Sequence, residues 1–268
     1  MMRKKLVVGN WKLHGSLAEN EKLMHELVDQ LKHLHNADFG ICLPYPYLFQ
    51  AQKILAKTPI LWGAQNVSQF YDGAYTSSVS ASMVAEFGCT LAIIGHSERR
   101  SYSHESNQKA VTRVKRAVDA GITPIYCVGE TLAEHELGQA KSVIEEQVLA
   151  LFGLDDATYA HAKALGLVIA YEPVWAIGKG QAAKPEQAQT MHQFIRALIA
   201  KRDKTFAENV RIIYGGGLTP ENACTLLTMS DIDGGLVGRC SLNAIEFRRI
   251  GEVASDTKQC VVEIVEEA

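Results

Sequence analysis

A chain of 268 residues, 47% hydrophobic and 21% charged, can bury a full core as one large domain or two small ones. Its formal charge of -3 at pH 7 offers no basic surface for nucleic acid, and no apolar run approaches the roughly 20 residues of a membrane span. The six cysteines include no CxxC pair, and the opening MMRKKLVVGN passes from charge into a short strand with no secretory apolar region. A cytoplasmic protein with reduced thiols is expected.

Leu6 to Val8 form the first short apolar run, and Gly9, Asn10, Trp11 and Lys12 follow it. Ser16 and Glu19 have the spacing of a capping box, opening a helix whose apolar face is Leu17, Met24, Leu27, Leu31 and Leu34. Phe39 to Leu43 is the second strand, stopped by Pro44 and Pro46, and a helix to Lys57 leads to the third, Ile60 to Trp62. A long polar and aromatic loop, QNVSQFYDGAYTSSVS, comes next, and its length points to function or assembly.

After a helix around Ala81 to Phe87, Leu91 to Ile94 runs into Gly95, His96, Ser97, Glu98, Arg99 and Arg100. The helix of Val111, Val114 and Val118 stops at Gly121; Ile122 to Val128 is the fifth strand, and Thr131 with Glu134 caps the helix after it. Leu167 to Tyr171 has the unbroken apolar character of a parallel strand covered on both faces, and Pro173 ends its pairing by lacking a backbone donor. Pro185 starts a helix with Ala188, Met191, Phe194, Ile195 and Leu198 on one face; Val210 to Tyr214 then leads into Gly215, Gly216 and Gly217. Thr219 and Pro220 start another helix. Leu236 and Val237 end in Gly238, and Ser241 is expected to open the eighth helix.

Eight strands alternating with eight helices, without a composition break, predict an α/β fold: one closed (β/α)8 barrel over residues 1–251, with a short acidic tail at 252–268. In such a barrel every strand's carboxyl end points to one mouth, so Asn10, Lys12, His96, Glu172, Gly215 to Gly217 and Gly238 converge there. A carboxylate, an imidazole, a lysine and an amide suit removal of a proton beside a carbonyl: the base takes the proton while the donors hold the enolate oxygen. The glycines before the helices at Thr219 and Ser241 supply backbone donors and helix N-termini, which together make a phosphate seat.

Other chemistries fit poorly. Gly178, Gly180 and Ala183 match a GxGxxA pattern, but it begins seven residues past Tyr171 with no acid ending a second strand, so a dinucleotide site is not expected. His25, His33 and His35 have no carboxylate or cysteine at ligand spacing, so no metal is expected.

Taken together, GNWK at Gly9–Lys12, IGHSERR at Ile94–Arg100, CVGETL at Cys127–Leu132, YEPVWAIG at Tyr171–Gly178, YGG at Tyr214–Gly216 and DGGLVG at Asp233–Gly238 resemble the signatures of the triosephosphate isomerase family, in the family's order. The match runs from about Lys5 to Gly251. The resemblance implies a TIM barrel that interconverts dihydroxyacetone phosphate and D-glyceraldehyde 3-phosphate in glycolysis and gluconeogenesis, without metal or organic cofactor. It implies Glu172 as the proton shuttle and His96 as a neutral electrophile beside Asn10, roles for which the family is itself the type case. It also implies Lys12 as a positive charge positioned by Glu98, and a lid over Pro173, Val174, Trp175, Ala176, Ile177, Gly178, Lys179, Gly180 and Gln181 that bonds to Tyr214. Backbone N–H groups of Gly178, Gly217, Gly238 and Arg239 would hold phosphate. The long loop resembles the family's dimer arm, with Thr76 reaching into the partner's mouth of a homodimer.

The chain departs from the family's usual pattern at four places. Lys179, Gly180 and Gln181 stand where the second lid hinge usually reads threonine, glycine, lysine; Gly217 stands where a serine is usual. Arg239 replaces the second glycine of a pair, and Ser78 replaces a glutamate that usually pairs with Arg99. These changes motivate two rivals: a paralogous isomerase for a four-carbon sugar phosphate, and a binding protein that kept the fold without turnover.

Overall fold

The computed structural model describes residues 3–177, 183–257 and 260. Eight parallel strands close on themselves in chain order: β1 (Lys5–Asn10), β2 (Ala37–Leu43), β3 (Leu61–Ala64), β4 (Leu91–Ile94), β5 (Thr123–Val128), β6 (Val168–Tyr171), β7 (Arg211–Tyr214) and β8 (Gly234–Val237). The last strand pairs with the first, Leu6 opposite Gly234 and Gly9 opposite Val237. Around them run α1 (Leu17–Leu31), α2 (Leu48–Leu55), α3 (Ala81–Glu86), α4 (Ser97–Tyr102), α5 (Asn107–Asp119), α6 (Leu132–Glu136), α7 (Ala140–Leu151), α8 (Asp156–Ala164), α9 (Pro185–Arg202), α10 (Lys204–Asn209), α11 (Pro220–Leu227) and α12 (Ala244–Ser255).

The unbroken apolar runs follow from burial on both faces. Leu6, Val8, Ile93, Ile125, Cys127, Val168, Ala170, Ile213 and Leu236 fill the barrel interior, while Val7, Ile41, Ile94, Tyr126, Ile169 and Ile212 face the helices. β3 and β8 extend past their bulky residues because Gly63, Ala64, Gly234 and Gly235 also pair, and small residues leave no mark on hydrophobic patterning. At the amino-terminal end, Asp233 accepts from Arg3 Nε (2.7 Å), Arg196 Nη2 (2.6 Å) and the Ile212 N–H (2.9 Å), tying β8 to β7, α9 and the chain's start.

Several expected caps are present. Thr131 and Glu134 form a reciprocal capping box, and Pro185 occupies the first turn of α9. The expectation that Ser241 opens the eighth helix is corrected: Arg239–Leu242 is a 3-10 turn, and Ser241 bonds back to Gly238 O through both its N–H (2.9 Å) and its hydroxyl (2.6 Å). Asn243 caps α12 instead, its Oδ1 accepting from the N–H groups of Ile245 and Glu246. Of the expected tail, residues 252–255 continue α12, where Ala254 is buried, and 258, 259 and 261–268 lie outside the described residues.

Candidate active site

Glu172 follows β6 directly. Its N–H bonds to Val128 O at 2.8 Å, adding one rung to the β5–β6 ladder before Pro173 ends it. The side chain turns into the barrel mouth and is 1% exposed. Two glycines make the room: a Cβ on Gly129 would stand 2.0 Å from Glu172 O, and one on Gly215 would stand 2.8 Å from Glu172 Cγ.

The carboxylate is fully engaged. Oε2 accepts from the Ser97 N–H at 2.9 Å, and Oε1 accepts from the Ser97 hydroxyl at 3.2 Å and faces His96 Nε2 at 2.8 Å. His96 is the N-cap of α4, with Nδ1 accepting from the Glu98 N–H at 3.2 Å. That contact needs a lone pair on Nδ1, which leaves Nε2 as the protonated nitrogen aimed at Glu172. Burial works against charge on His96, but the Glu172 carboxylate, with Glu98 behind it, outweighs burial and holds its pKa above the ordinary 6.5. Glu172 mirrors this: burial pushes its pKa up, and His96 with the two Ser97 donors pulls it below 4.5. Beneath the base, burial first and then the Glu172 charge push the Cys127 thiol far upward, so the base sits over an un-ionised thiol.

Asn10 ends β1 and Lys12 follows two residues on. Lys12 adopts φ 53°, a left-handed conformation that costs a non-glycine residue about 1–2 kcal/mol. Its N–H bonds to Asn10 Oδ1 at 3.1 Å and its carbonyl accepts from Gln65 Nε2 at 2.9 Å, so polar side chains hold the strained backbone. The Lys12 ammonium then reaches Glu98 Oε1 at 2.6 Å. Sequence patterning assigns no individual role to Gln65, which opens the long loop after β3, or to Ser97 and Glu130, which lie within the family motifs.

Asn10, Lys12, His96, Glu172, Gly215 to Gly217, Gly238 and Arg239 all line one cavity of about 770 Å³. Asn222 holds the loop before α11, donating to Gly217 O at 2.7 Å and accepting from the Thr219 N–H at 2.9 Å. On the other flank of the base, buried Glu130 accepts from Tyr171 OH (3.0 Å) and Trp175 Nε1 (2.7 Å), and its carbonyl takes the Val174 N–H at 3.2 Å. These bonds fix the 3-10 turn Val174–Ala176 just after the base. Tyr214 OH accepts from the Ala183 N–H at 3.2 Å. Gly178, Lys179, Gly180 and Gln181 lie outside the described residues.

The triosephosphate isomerase family model matches residues 5–254. The chain belongs to the triosephosphate isomerase family. It is 49% identical over 248 residues to the triosephosphate isomerase of Nitrosomonas europaea, covering 92% of this chain and 96% of that protein. With the Thiobacillus denitrificans enzyme of the same name it shares 49% identity over 257 residues, 95% of this chain and 100% of that protein. The crystal structure of triosephosphate isomerase from Bartonella henselae superposes with a TM-score of 0.85 at 33% identity, covering 94% of this chain and all of that one.

Three of the chain's four departures from the usual family pattern fall on described residues, and one of them, Gly217, has already been placed in the cavity lining. Arg239 opens the 3-10 turn without a positive φ; the left-handed non-glycine residues among those described are Lys12, Ser77 and His104. The backbone there therefore tolerates arginine, and its N–H is not lost to strain. Arg99, whose usual glutamate partner in the family is replaced by Ser78, pairs within the chain through Nε to Glu105 Oε2 at 2.9 Å. Thr76 is exposed on the arm, whose tip is braced by Phe70 and Tyr75 stacked at 3.9 Å.

Proposed function

We propose that this chain interconverts dihydroxyacetone phosphate and D-glyceraldehyde 3-phosphate, an aldose–ketose isomerisation carried by proton transfer through an enediolate. The observation that supports it best is the joining, at one cavity, of a buried carboxylate and an imidazole N–H 2.8 Å apart. Glu172 removes the proton from one carbon and returns it to its neighbour. His96 donates from Nε2 to the enediolate oxygens, Asn10 supports it, and Lys12, positioned by Glu98, supplies positive charge to enediolate and phosphate. Once Glu172 turns from Nε2 to substrate, the largest contact that raises the His96 pKa is lost, leaving the smaller influence of Glu98 against burial and the Lys12 charge, which favour the neutral ring.

The backbone N–H groups of Gly217, Gly238 and Arg239, with Gly178 from the lid, take the phosphate, and residues 173–181 close over it. Arg239 in the lining of the cavity favours a second reading, a paralogous isomerase acting on a four-carbon sugar phosphate. The chain works as a homodimer in the cytoplasm, Thr76 entering the partner's mouth. No helix among the described residues is long and apolar enough to cross a membrane.

The test is the initial rate of glyceraldehyde 3-phosphate isomerisation, with Glu172→Gln prepared identically. The variant should lose about 10²- to 10⁴-fold in kcat while keeping its fold and its affinity for inorganic phosphate. Near-full activity of Glu172→Gln would overturn the mechanism, and a higher kcat/KM on the four-carbon phosphate would overturn the substrate.

A further inference from the structure

His135, on α6, is used by none of the chemistry above, yet it lies against the turn that follows the base. Its ring stacks on the Trp175 indole with centroids 4.3 Å apart and planes 28° from parallel. Its Nδ1 stands 3.6 Å from Glu130 Oε1, the atom that also takes the Trp175 and Tyr171 donors. At 3.6 Å this is a charge contact and not a hydrogen bond. Among the described residues, neither His135 Nδ1 nor Glu130 Oε2, both buried, has a hydrogen-bond partner, although the His135 ring is 37% exposed and open to solvent protons.

The surroundings decide what a proton on this ring would do. Trp175 offers the face of an indole, which attracts a cation, and Glu130 offers a carboxylate. On its own helix, Glu134 is turned to Thr131, whose N–H and hydroxyl it accepts at 2.7 and 2.9 Å, and Glu136 closes the helix. From α7, Lys141 lies over the Phe194 ring at 5.5 Å. The charge closest to the imidazole is thus negative, and the surface it stacks on is electron-rich.

We infer that His135 is a proton-dependent positioning residue for the Trp175 turn, clamping the segment after Glu172 to Glu130 when it is charged and loosening it when neutral. A charged ring gains a cation–π contact and an ion pair, and a neutral ring keeps only stacking. Imidazole is the side chain that most readily gains and loses a proton near neutral pH, so a pH series tests the clamp. Because Trp175 lies three residues past Glu172, a tighter clamp restrains the segment that carries the base, and movement of the base toward substrate works against it. The inference rests on the isomerase reading for its effect on rate, but not for the clamp itself.

Two measurements test it separately. A protonated imidazole stacked on indole quenches its emission, so Trp175 fluorescence, taken as wild type minus Trp175→Phe, should fall between pH 7.5 and 5.5. The same difference in a His135→Gln background should stay flat. Isomerisation kcat/KM should fall over this range about two- to fivefold more in wild type than in His135→Gln, the fold-change matching one exposed cation–π contact. His135→Arg, charged throughout, should show no added step and stay at the acid-limb ratio. Coincident fluorescence titrations of wild type and His135→Gln would overturn the clamp; a titrating indole with identical rate profiles would overturn the positioning role. Were isomerase activity absent, the isomerase reading would fall, and the fluorescence would still decide the clamp.

Discussion

His96 Nε2 stands 2.8 Å from Glu172 Oε1, so the imidazole and the carboxylate that the reaction uses as separate tools are joined by one hydrogen bond. Ser97 holds the carboxylate's other face through its N–H and hydroxyl, and Glu98 holds the far side of the imidazole through its backbone. Three consecutive residues at the start of α4 thereby set the state of a base 75 positions away.

The charge state of this pair is open to direct titration. In wild type, His96 should titrate above 6.5, because Glu172 and Glu98 outweigh burial. In Glu172→Gln the dominant partner is gone and burial is less opposed, so the His96 pKa should drop. Histidine ring NMR across pH 5–9 reads both; an unchanged value would show that Glu172 does not control the imidazole. The linked stability has a definite sign: the raised His96 contributes fully below 6.5 and is lost as pH rises through its folded value.

His192 should make the fold sensitive to acid. It is fully buried between Tyr171 and Tyr214, with Nδ1 against Asp231 O at 3.2 Å, and burial pushes its pKa down to about 3. Between about pH 6.5 and 3 the unfolded chain binds a proton that the folded chain refuses, so stability falls as pH falls, by up to about 1.4 kcal/mol per unit. Urea unfolding at pH 6.5 and 5.0 should show about 1–2 kcal/mol more loss in wild type than in His192→Gln. Equal losses would assign the acid sensitivity elsewhere.

Asp233→Ala should damage folding and spare chemistry. The side chain is 3% exposed, and its loss takes away one of the two carboxylates that hold the Arg196 guanidinium, Asp231 remaining at 2.6 Å, together with the acceptors of Arg3 Nε and the Ile212 N–H at the barrel's amino-terminal end. Leaving buried donors without their acceptor costs about 1–3 kcal/mol. Thermal unfolding should drop accordingly, while kcat/KM, measured where the variant remains folded, stays near wild type because the site is at the opposite end. A selective loss of kcat with unchanged stability would contradict this placement.

Much of this molecule is readable from the chain. Period and composition determine eight strand–helix units, and a closed parallel barrel of such units can only bring the residues just past each strand to one rim, so Asn10, Lys12, His96, Glu172 and the glycine loops had to meet. The tertiary structure alone decided what those residues touch. That Glu172 is gripped by Ser97, that Gln65 and Asn10 hold Lys12 in a left-handed backbone, and that Glu130 gathers Tyr171 and Trp175 all depend on side chains distant in sequence meeting within hydrogen-bond range. Asp233 lies in a motif that ends at the phosphate seat, yet it serves the opposite end of the barrel, because a four-residue strand separates it from Gly238. Ser241 and Asn243 carry equally good capping side chains, and the carbonyl of Gly238 decided between them by capturing the serine. Local pattern determines where a strand ends; the closed geometry of eight of them determines which atoms lie 3 Å apart when it does.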